Sequence, residues 1–389
     1  MKKIKVIGTG AAGNKGVIDL IKAQLIGNDE CILVNSTDRD VPEDFKEFLI
    51  NIGDGRGGCG KEFSLGRELA EESLHSGDLG QALELLIDDN DESIIIVTSA
   101  EGGTGNGSTR ALAEYCDQEL ELNTHIVIFT GFEDDARGLA NTVELFKSIN
   151  KNAIVHIIRN STFLNDAKGS YVLAEQLANQ EFCRLYESIC GLKISPSFQN
   201  MDETDLYKTV NYPGYCVSMS INLGKTNVTQ ESIDEAIKTA LSDLKTYRND
   251  NGKCRMLGVI LSIYDPTIPV NRRFEVIRDF FGNAHDGFVH LQYCNEDEEQ
   301  NVTFIVSGMD MPQKDIQSIY DRYKKESSTI KRGADNFFEK KDTLKTDSDE
   351  FDFMVSRRNR RGSKKKEVEI PQKDSKLMSI PKEVFEKQM

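Results

Sequence analysis

"SIIIVTSAEGGTGNGSTRALAEY", residues 93–115, decides how the rest of the chain is read. Its first seven residues are apolar or β-branched with little polar alternation, the pattern of a strand buried on both faces of a parallel sheet. Gly102, Gly103, Gly105 and Gly107 then fall within six positions, with Thr104 and Asn106 between them, and the pattern predicts a helix from about Ser108. Such a turn exposes consecutive N–H donors with the positive end of a helix dipole behind them. It suits a di- or triphosphate.

A second glycine turn lies upstream. "VIGTGAAGNKG", residues 6–16, follows a short strand, opens a helix and contains G-x-G-x-x-G at Gly8, Gly10 and Gly13. Two such turns on one parallel sheet converge at the carboxyl edge of its strands. Alone, the first turn fits an NAD-dependent oxidoreductase. That reading wants an acidic residue ending the second strand, and here the strand ends in Asn35 and Ser36, with Asp38 late. Only five His are present, at 75, 125, 156, 285 and 290, and no His or Lys catalytic constellation stands out. "GRGGCGKE", residues 55–62, has the G-x-x-x-x-G-K skeleton of a P-loop, but Glu62 stands where Ser or Thr should bind magnesium. A Walker-type ATPase is not expected.

Strand-like runs at 4–7, 31–35, 93–99, 125–131 and 153–158 alternate with helical candidates near 13–27, 61–76, 108–121 and 138–150. This alternation predicts an α/β fold, with helices on both faces of a parallel sheet. A longer helix is expected over 170–190, with Leu173, Leu177, Phe182, Leu185 and Ile189 at core spacing. After it, strands near 214–222, 256–263, 287–293 and 302–308 interleave with helices near 229–245, 270–282 and 312–326, which suggests a smaller α/β domain. Between the two lies "NMDETD", residues 200–205. Asp202 suits an N-cap and Asp205 a first helical turn, so the pair needs no catalytic explanation on spacing alone.

The net charge of −16 over 389 residues gives a field that repels nucleic acid, except at "SRRNRRGSKKK", residues 356–366, with seven Lys or Arg in eleven positions. Residues 330–389 are expected to be mostly disordered. Eight scattered Cys without a C-x-x-C pair read as reduced thiols of a cytosolic protein, and no apolar run approaches a membrane span.

Taken together, these segments resemble the tubulin/FtsZ superfamily. "EGGTGNG" at 101–107 is similar to its G-G-G-T-G-[ST]-G loop, with Glu101 for the first Gly and Asn106 for the small hydroxyl residue. "GTGAAGN" (Gly8, Gly10, Ala11, Ala12, Gly13, Asn14) resembles the family's first nucleotide loop, and "NSTD" (Asn35 to Asp38) its second. The glycine-rich stretch with Gly57 and Gly58 looks like the phosphate-sensing loop, and "GFEDDAR" like the ribose-side loop, through Glu133 and Arg137. Asn160 and Asn179 take the places of base-reading residues; the family's aromatic four residues before the second is Glu175 here, with Tyr171 a substitute stacking partner. "NMDETD" matches the N-x-D-x-x-[DE] catalytic loop at Asn200, Asp202 and Asp205.

The resemblance implies a tubulin/FtsZ-like architecture. A Rossmann-like GTP-binding domain is expected over 1–169, a central helix over 170–192, an activation domain with the catalytic loop over 193–326, and a tail over 327–389. It implies GTP/GDP with Mg2+, hydrolysis that is slow in the monomer, and head-to-tail filaments in which Asp202 and Asp205 act on the neighbouring subunit's nucleotide. Size, divergence and the basic C-terminal extension look most like the TubZ group of plasmid- and phage-encoded tubulin-like GTPases. For that group the expected partners are a second copy and a TubR-type DNA-bound adaptor engaged by the tail, with direct DNA contact by 356–366 possible, no membrane partner and a bacterial cytosolic location. A phage-spindle or divergent FtsZ-type division GTPase is the neighbouring alternative.

Overall fold

The computed structural model describes residues 4–338 except 54, 56, 133–134, 193–202, 226–227, 249–251, 266–267 and 296–297. Met1–Gly333 form one compact unit; of the second, Ala334–Met389, only the end of a helix is described. The chain runs β1 (Lys5–Thr9), α1 (Gly10–Lys22), β2 (Cys31–Asn35), β3 (Leu49–Asn51), α2 (Phe63–Ser76), α3 (Asp78–Leu86), β4 (Ser93–Ser99), α4 (Gly103–Gln118), β5 (Asn123–Thr130), α5 (Ala136–Ser148) and β6 (Ile154–Arg159). It continues through α6 (Tyr171–Cys190), α7 (Glu203–Val210), β7 (Gly214–Gly224), α8 (Gln230–Ser242), β8 (Lys253–Ile263), α9 (Glu275–Phe281), β9 (Asn283–Tyr293), β10 (Gln300–Met309) and α10 (Gln313–Phe338).

All ten strands form one sheet in the order β3-β2-β1-β4-β5-β6-β7-β10-β8-β9. The first six pair in parallel, and β7 joins β6 in parallel through Ile154–Gly214 and Val155–Tyr215. Strand β10 is antiparallel to both β7 and β8, and β9 returns parallel to β8. The order 3-2-1-4-5-6 reverses direction between β1 and β4, which opens a crevice at the carboxyl ends of those two strands.

Alternate side chains of the strands feed two cores, as the period of two requires. Ile95, Val97, Val127 and Phe129 pack on one face with Val17 and Leu20 of α1, Ala174, Ala178 and Phe182 of α6, and Leu206 of α7. Ile94, Ile96, Ile126 and Ile128 pack on the other with Leu83 of α3, Leu112 of α4, Val143 of α5 and Ile237 of α8. Each fully buried Val, Leu, Ile or Phe side chain among them contributes about 1.5–3 kcal/mol. Helix α6 is capped by Ser170, whose Oγ accepts from the Leu173 N–H at 3.3 Å, and its buried residues Ala174, Ala178, Phe182, Tyr186 and Ile189 trace one stripe.

Two helices start earlier than the sequence predicts, α1 at Gly10 rather than near 13 and α4 at Gly103 rather than near Ser108. Glycine is a poor helix former, but Gly102 takes the N-cap and the side-chain-free first turn lets neighbouring backbone press against it. Tertiary contact overrides propensity there. Helix α3 was not expected; its buried Leu79, Leu83 and Leu86 are spaced for a helix, yet Gly77 and Gly80 break the signal. Helix α10 continues to Phe338, past the position 327 at which a tail was expected to start. The basic run 356–366 lies outside the described residues.

One buried polar chain ties α7 to the amino edge of the sheet. His125 Nε2 and the Ser93 hydroxyl both donate to Asn211 Oδ1, at 2.9 and 3.0 Å, and His125 Nδ1 lies 3.1 Å from His156 Nε2. Asn211 Oδ1 only accepts, so His125 carries its proton on Nε2 and His156 donates to Nδ1. Desolvation by burial pushes His125 down to about 4 and His156 well below its usual value. The unfolded chain therefore takes up protons first, and stability is lost as pH falls from about 6.5 towards 4, on the order of 3 kcal/mol for His125 alone. Urea midpoints at pH 7 and pH 5 will show this loss; a flat profile would refute the neutral pair.

Candidate functional site

The two glycine turns predicted from sequence meet at the β1–β4 switch point. Gly10 has φ +70, and a Cβ placed on it would lie 2.8 Å from the Gly105 backbone nitrogen and 2.9 Å from its Cα. Only glycine permits that conformation and that approach together. The amino ends of α1 and α4 thus lie side by side, which concentrates free N–H groups and two positive dipole ends. Ala11 and Ala12 are half-buried in the first turn of α1, and Gly13 and Asn14 are buried behind them. Gly103, Thr104, Gly105, Asn106 and Gly107 form the opening of α4, with Gly102 as its cap.

Hydroxyl and amide groups lock these turns together. Ser36 Oγ lies 2.6 Å from Thr104 Oγ1, joining the end of β2 to α4, and the Thr9 and Ser108 hydroxyls are hydrogen-bonded across the crevice. Asn106 donates from Nδ2 to the carbonyls of Ala100 (2.8 Å) and Asn141 (2.7 Å), so the Asn in place of a small hydroxyl residue works as a brace. Beside the two turns, Asn14 keeps an unpartnered Oδ1 and Asn35 an unpartnered Nδ2 among the described residues. Asn14 is 0% and Asn35 2% exposed, so each orphan atom calls for a partner that the described residues do not supply.

The loop after β3 closes the far side. A Cβ on Gly103 would lie 2.7 Å from the Glu62 nitrogen, so residues 61 and 62 press on the first turn of α4. Gly57 and Gly58 have φ of +81 and +122, and Gly58 faces Ser36 and Thr37. Asn141, which the sequence did not single out, donates to the carbonyls of Lys61 (3.1 Å) and Glu101 (3.0 Å). Lys61 Nζ pairs with Asp135 Oδ2 at 2.7 Å, and Arg137 reaches Glu62 at 3.6 Å. The Lys61 ammonium holds the Asp135 carboxyl below the usual range, helped by the Gly138 N–H that Asp135 caps. Glu101 turns its side chain away from the glycines towards Gly131 and Gly138 at the start of α5, so this departure from the glycine motif leaves the crevice clear.

Other predicted residues lie further out. Asp38 is exposed and 3.6 Å from Lys46, not at the end of β2. Asn160 directly follows β6, is 8% exposed and has an unpartnered Oδ1. Asn179, midway along α6, donates to Asp19 Oδ2 of α1 at 2.8 Å, and Glu175, one turn earlier, pairs with Lys15 at 3.5 Å. The Tyr171 ring is 51% exposed and rests edge-on against Phe132 at 4.5 Å, leaving a free aromatic face at the head of α6. Glu133, Asn200 and Asp202 lie outside the described residues.

Asp205 sits at the opposite edge. Helix α7 is fastened to the amino ends of β4 and β5 by Asn211 and by Tyr207, whose hydroxyl accepts from Asn123 Nδ2 at 2.8 Å. Leu206 and Val210 are buried, whereas Asp205 is exposed on the first turn. The glycine turns leave the carboxyl ends of the same strands. Seven residues of β4 separate the two sites by roughly 20 Å, so one chain cannot bring them together.

No family model matches the chain. The cell division protein FtsZ of Mycoplasmopsis pulmonis is 24% identical over 252 residues, 62% of this chain and 60% of that one, so the match spans less than two thirds of its length. The cell division protein FtsZ of Methanothermobacter thermautotrophicus is 24% identical over 323 residues, 80% of each chain. Among solved structures, a GTPγS-form protofilament of TubZ from Bacillus thuringiensis serovar israelensis superposes with TM-score 0.66 at 17% identity, covering 87% of this chain and 95% of that one. A GTPγS-bound protofilament of CetZ2 from Haloferax volcanii gives 0.65 at 18% identity, covering 85% and 100%. The fold is tubulin/FtsZ-like.

Proposed function

We propose, with this tubulin/FtsZ-like fold as the premise, that the chain binds GTP in the β1–β4 crevice and hydrolyses it within head-to-tail filaments. The observation that carries the reading is the Gly10–Gly105 contact, which sets two helix amino ends side by side as an anion cradle. The unpartnered Nδ2 donor of Asn35 supports it. The base is assigned to Asn160 and Asn179, with Tyr171 as its stacking face, and the ribose side to Glu133 and Arg137. Guanine is taken from the family resemblance, and the unpartnered Asn160 Oδ1 is an acceptor for a base N–H.

Hydrolysis is assigned to Asp202 and Asp205, with Asn200, of the adjoining subunit. Their carboxylates polarise a water that attacks the γ-phosphorus; the bond to the β-bridging oxygen breaks, leaving GDP and phosphate. The roughly 20 Å between Asp205 and the glycine turns supports action in trans. Among the described residues no cluster of three His, Cys, Asp or Glu is placed to hold a metal. Mg2+ is assigned, as part of this reading, to the phosphates, where it would neutralise their charge.

The cellular reading is movement of plasmid or phage DNA, with the basic run 356–366 engaging a TubR-type adaptor or DNA itself. It is supported by seven cations in eleven residues of an otherwise acidic chain. The division-protein relatives keep a cell-division role as the second reading. Among the described residues no helix is long and apolar enough to cross a membrane.

Phosphate release and light scattering over a protein concentration series test the filament GTPase. Turnover per subunit is expected to rise above a critical concentration with GTP and Mg2+. Constant specific activity, or activity with NAD instead, overturns it.

A further inference from the structure

The motif that looked like a failed P-loop has a use. Gly10 of α1 touches Gly105 on one side of α4, and residues 61 and 62 touch Gly103 on the other. A chain of phosphates laid from α1 across the first turn of α4 therefore ends at Lys61.

Three features single this lysine out. Its backbone is held in the left-handed region, φ +62, with its carbonyl fixed by Asn141 at 3.1 Å. Its ammonium has one ion-pair partner among the described residues, Asp135 at 2.7 Å, and both side chains are about half exposed (48% and 41%). Asp135 has a second occupation, accepting the Gly138 N–H at 2.8 Å as the cap of α5, so it stays satisfied if the lysine leaves. Arg137, the nearest other cation on α5, is turned to Glu62. Arg39 approaches the same loop at Gly57.

We infer that Lys61 exchanges Asp135 for the terminal phosphate of a bound nucleoside triphosphate, and so makes the site prefer triphosphate over diphosphate. This rests on the nucleotide reading above and goes beyond it by naming the group that tells the two nucleotides apart. A terminal phosphate carries close to two negative charges at neutral pH and three acceptor oxygens. It outcompetes a half-exposed carboxylate for one ammonium, because exposed ion pairs are weak.

Calorimetric titration of the full-length protein with GTPγS and with GDP tests the exchange. The wild type should favour GTPγS. Lys61→Met should lower the GTPγS-to-GDP affinity ratio roughly tenfold through loss of a charge-assisted bond, with GDP affinity little changed. Asp135→Asn should move the ratio the other way, about threefold upward, since it frees the lysine while Asn caps a helix as well as Asp does. Lys61→Arg should retain the preference. An unchanged ratio in Lys61→Met, or shifts of the same sign in both variants, overturns the inference and leaves the nucleotide reading standing. Wild-type protein that binds neither nucleotide overturns both.

Discussion

Gly10→Ala is expected to weaken nucleotide binding on the order of a hundredfold, about 2.7 kcal/mol, in a protein that still folds. The added Cβ would sit 2.8 Å from the Gly105 nitrogen and 2.9 Å from its Cα. Both are backbone atoms of a helix, so no rotamer change relieves the contact. The residue must also hold φ +70, which costs a non-glycine residue about 1–2 kcal/mol. The strain is released only by parting α1 from α4, and that dismantles the paired amino ends. The hydrophobic faces of both helices stay buried, so the loss should appear in calorimetric affinity far more than in the thermal midpoint. Unchanged affinity would mean that the phosphates do not bind between these helices.

Asp205→Ala is expected to leave nucleotide affinity alone and to cut turnover about 10²–10³-fold, the scale for removing one preorganised electrostatic group from a reacting centre. Asp205 is exposed, and its helix is held by Leu206, Val210 and Asn211, so alanine there should not unfold α7. Mixing makes the test sharper. Asp205→Ala subunits carry a sound nucleotide crevice, and Gly10→Ala subunits carry a sound acidic face. At GTP levels that leave the Gly10→Ala crevice empty, neither should turn over appreciably alone, yet an equal mixture should regain activity wherever one kind abuts the other. A mixture as inactive as its parts would place catalysis within a single chain.

Much of this site was legible in the sequence because it is made of glycine. Gly8, Gly10, Gly103 and Gly105 announce themselves: few other demands put glycines at that density between a buried strand and a helix. The parallel half of the sheet was legible for a related reason, since Ile94 to Val97 are apolar on both faces. The braces were not legible. Asn141 acts through backbone carbonyls that are 80 and 40 residues away in sequence, and an amide inside a helix pattern carries no mark of that. The starts of α1 and α4 were misplaced because propensity penalises the very glycines that backbone packing requires. Asn179 was picked by the resemblance of its segment, but its hold on Asp19 depends on α1 and α6 lying together, a tertiary fact. The ion pair of Lys61 with Asp135 was hidden by a motif that suggested a different fold.

The unbroken sheet also sets a direction. Its parallel strands all run from the edge where α7 is fastened to the edge where the glycines gather. The two ends of the molecule are chemically unlike: one carries the exposed Glu203 and Asp205 of α7, the other the helix amino ends of the glycine turns. A face-to-face pairing of like ends would set acid against acid or amide against amide. Stacking of unlike ends would satisfy both, and where the rotation does not close it would repeat as a filament. A polymer built this way would have a front and a back fixed by strand direction alone, an arrow that every subunit carries before any partner arrives.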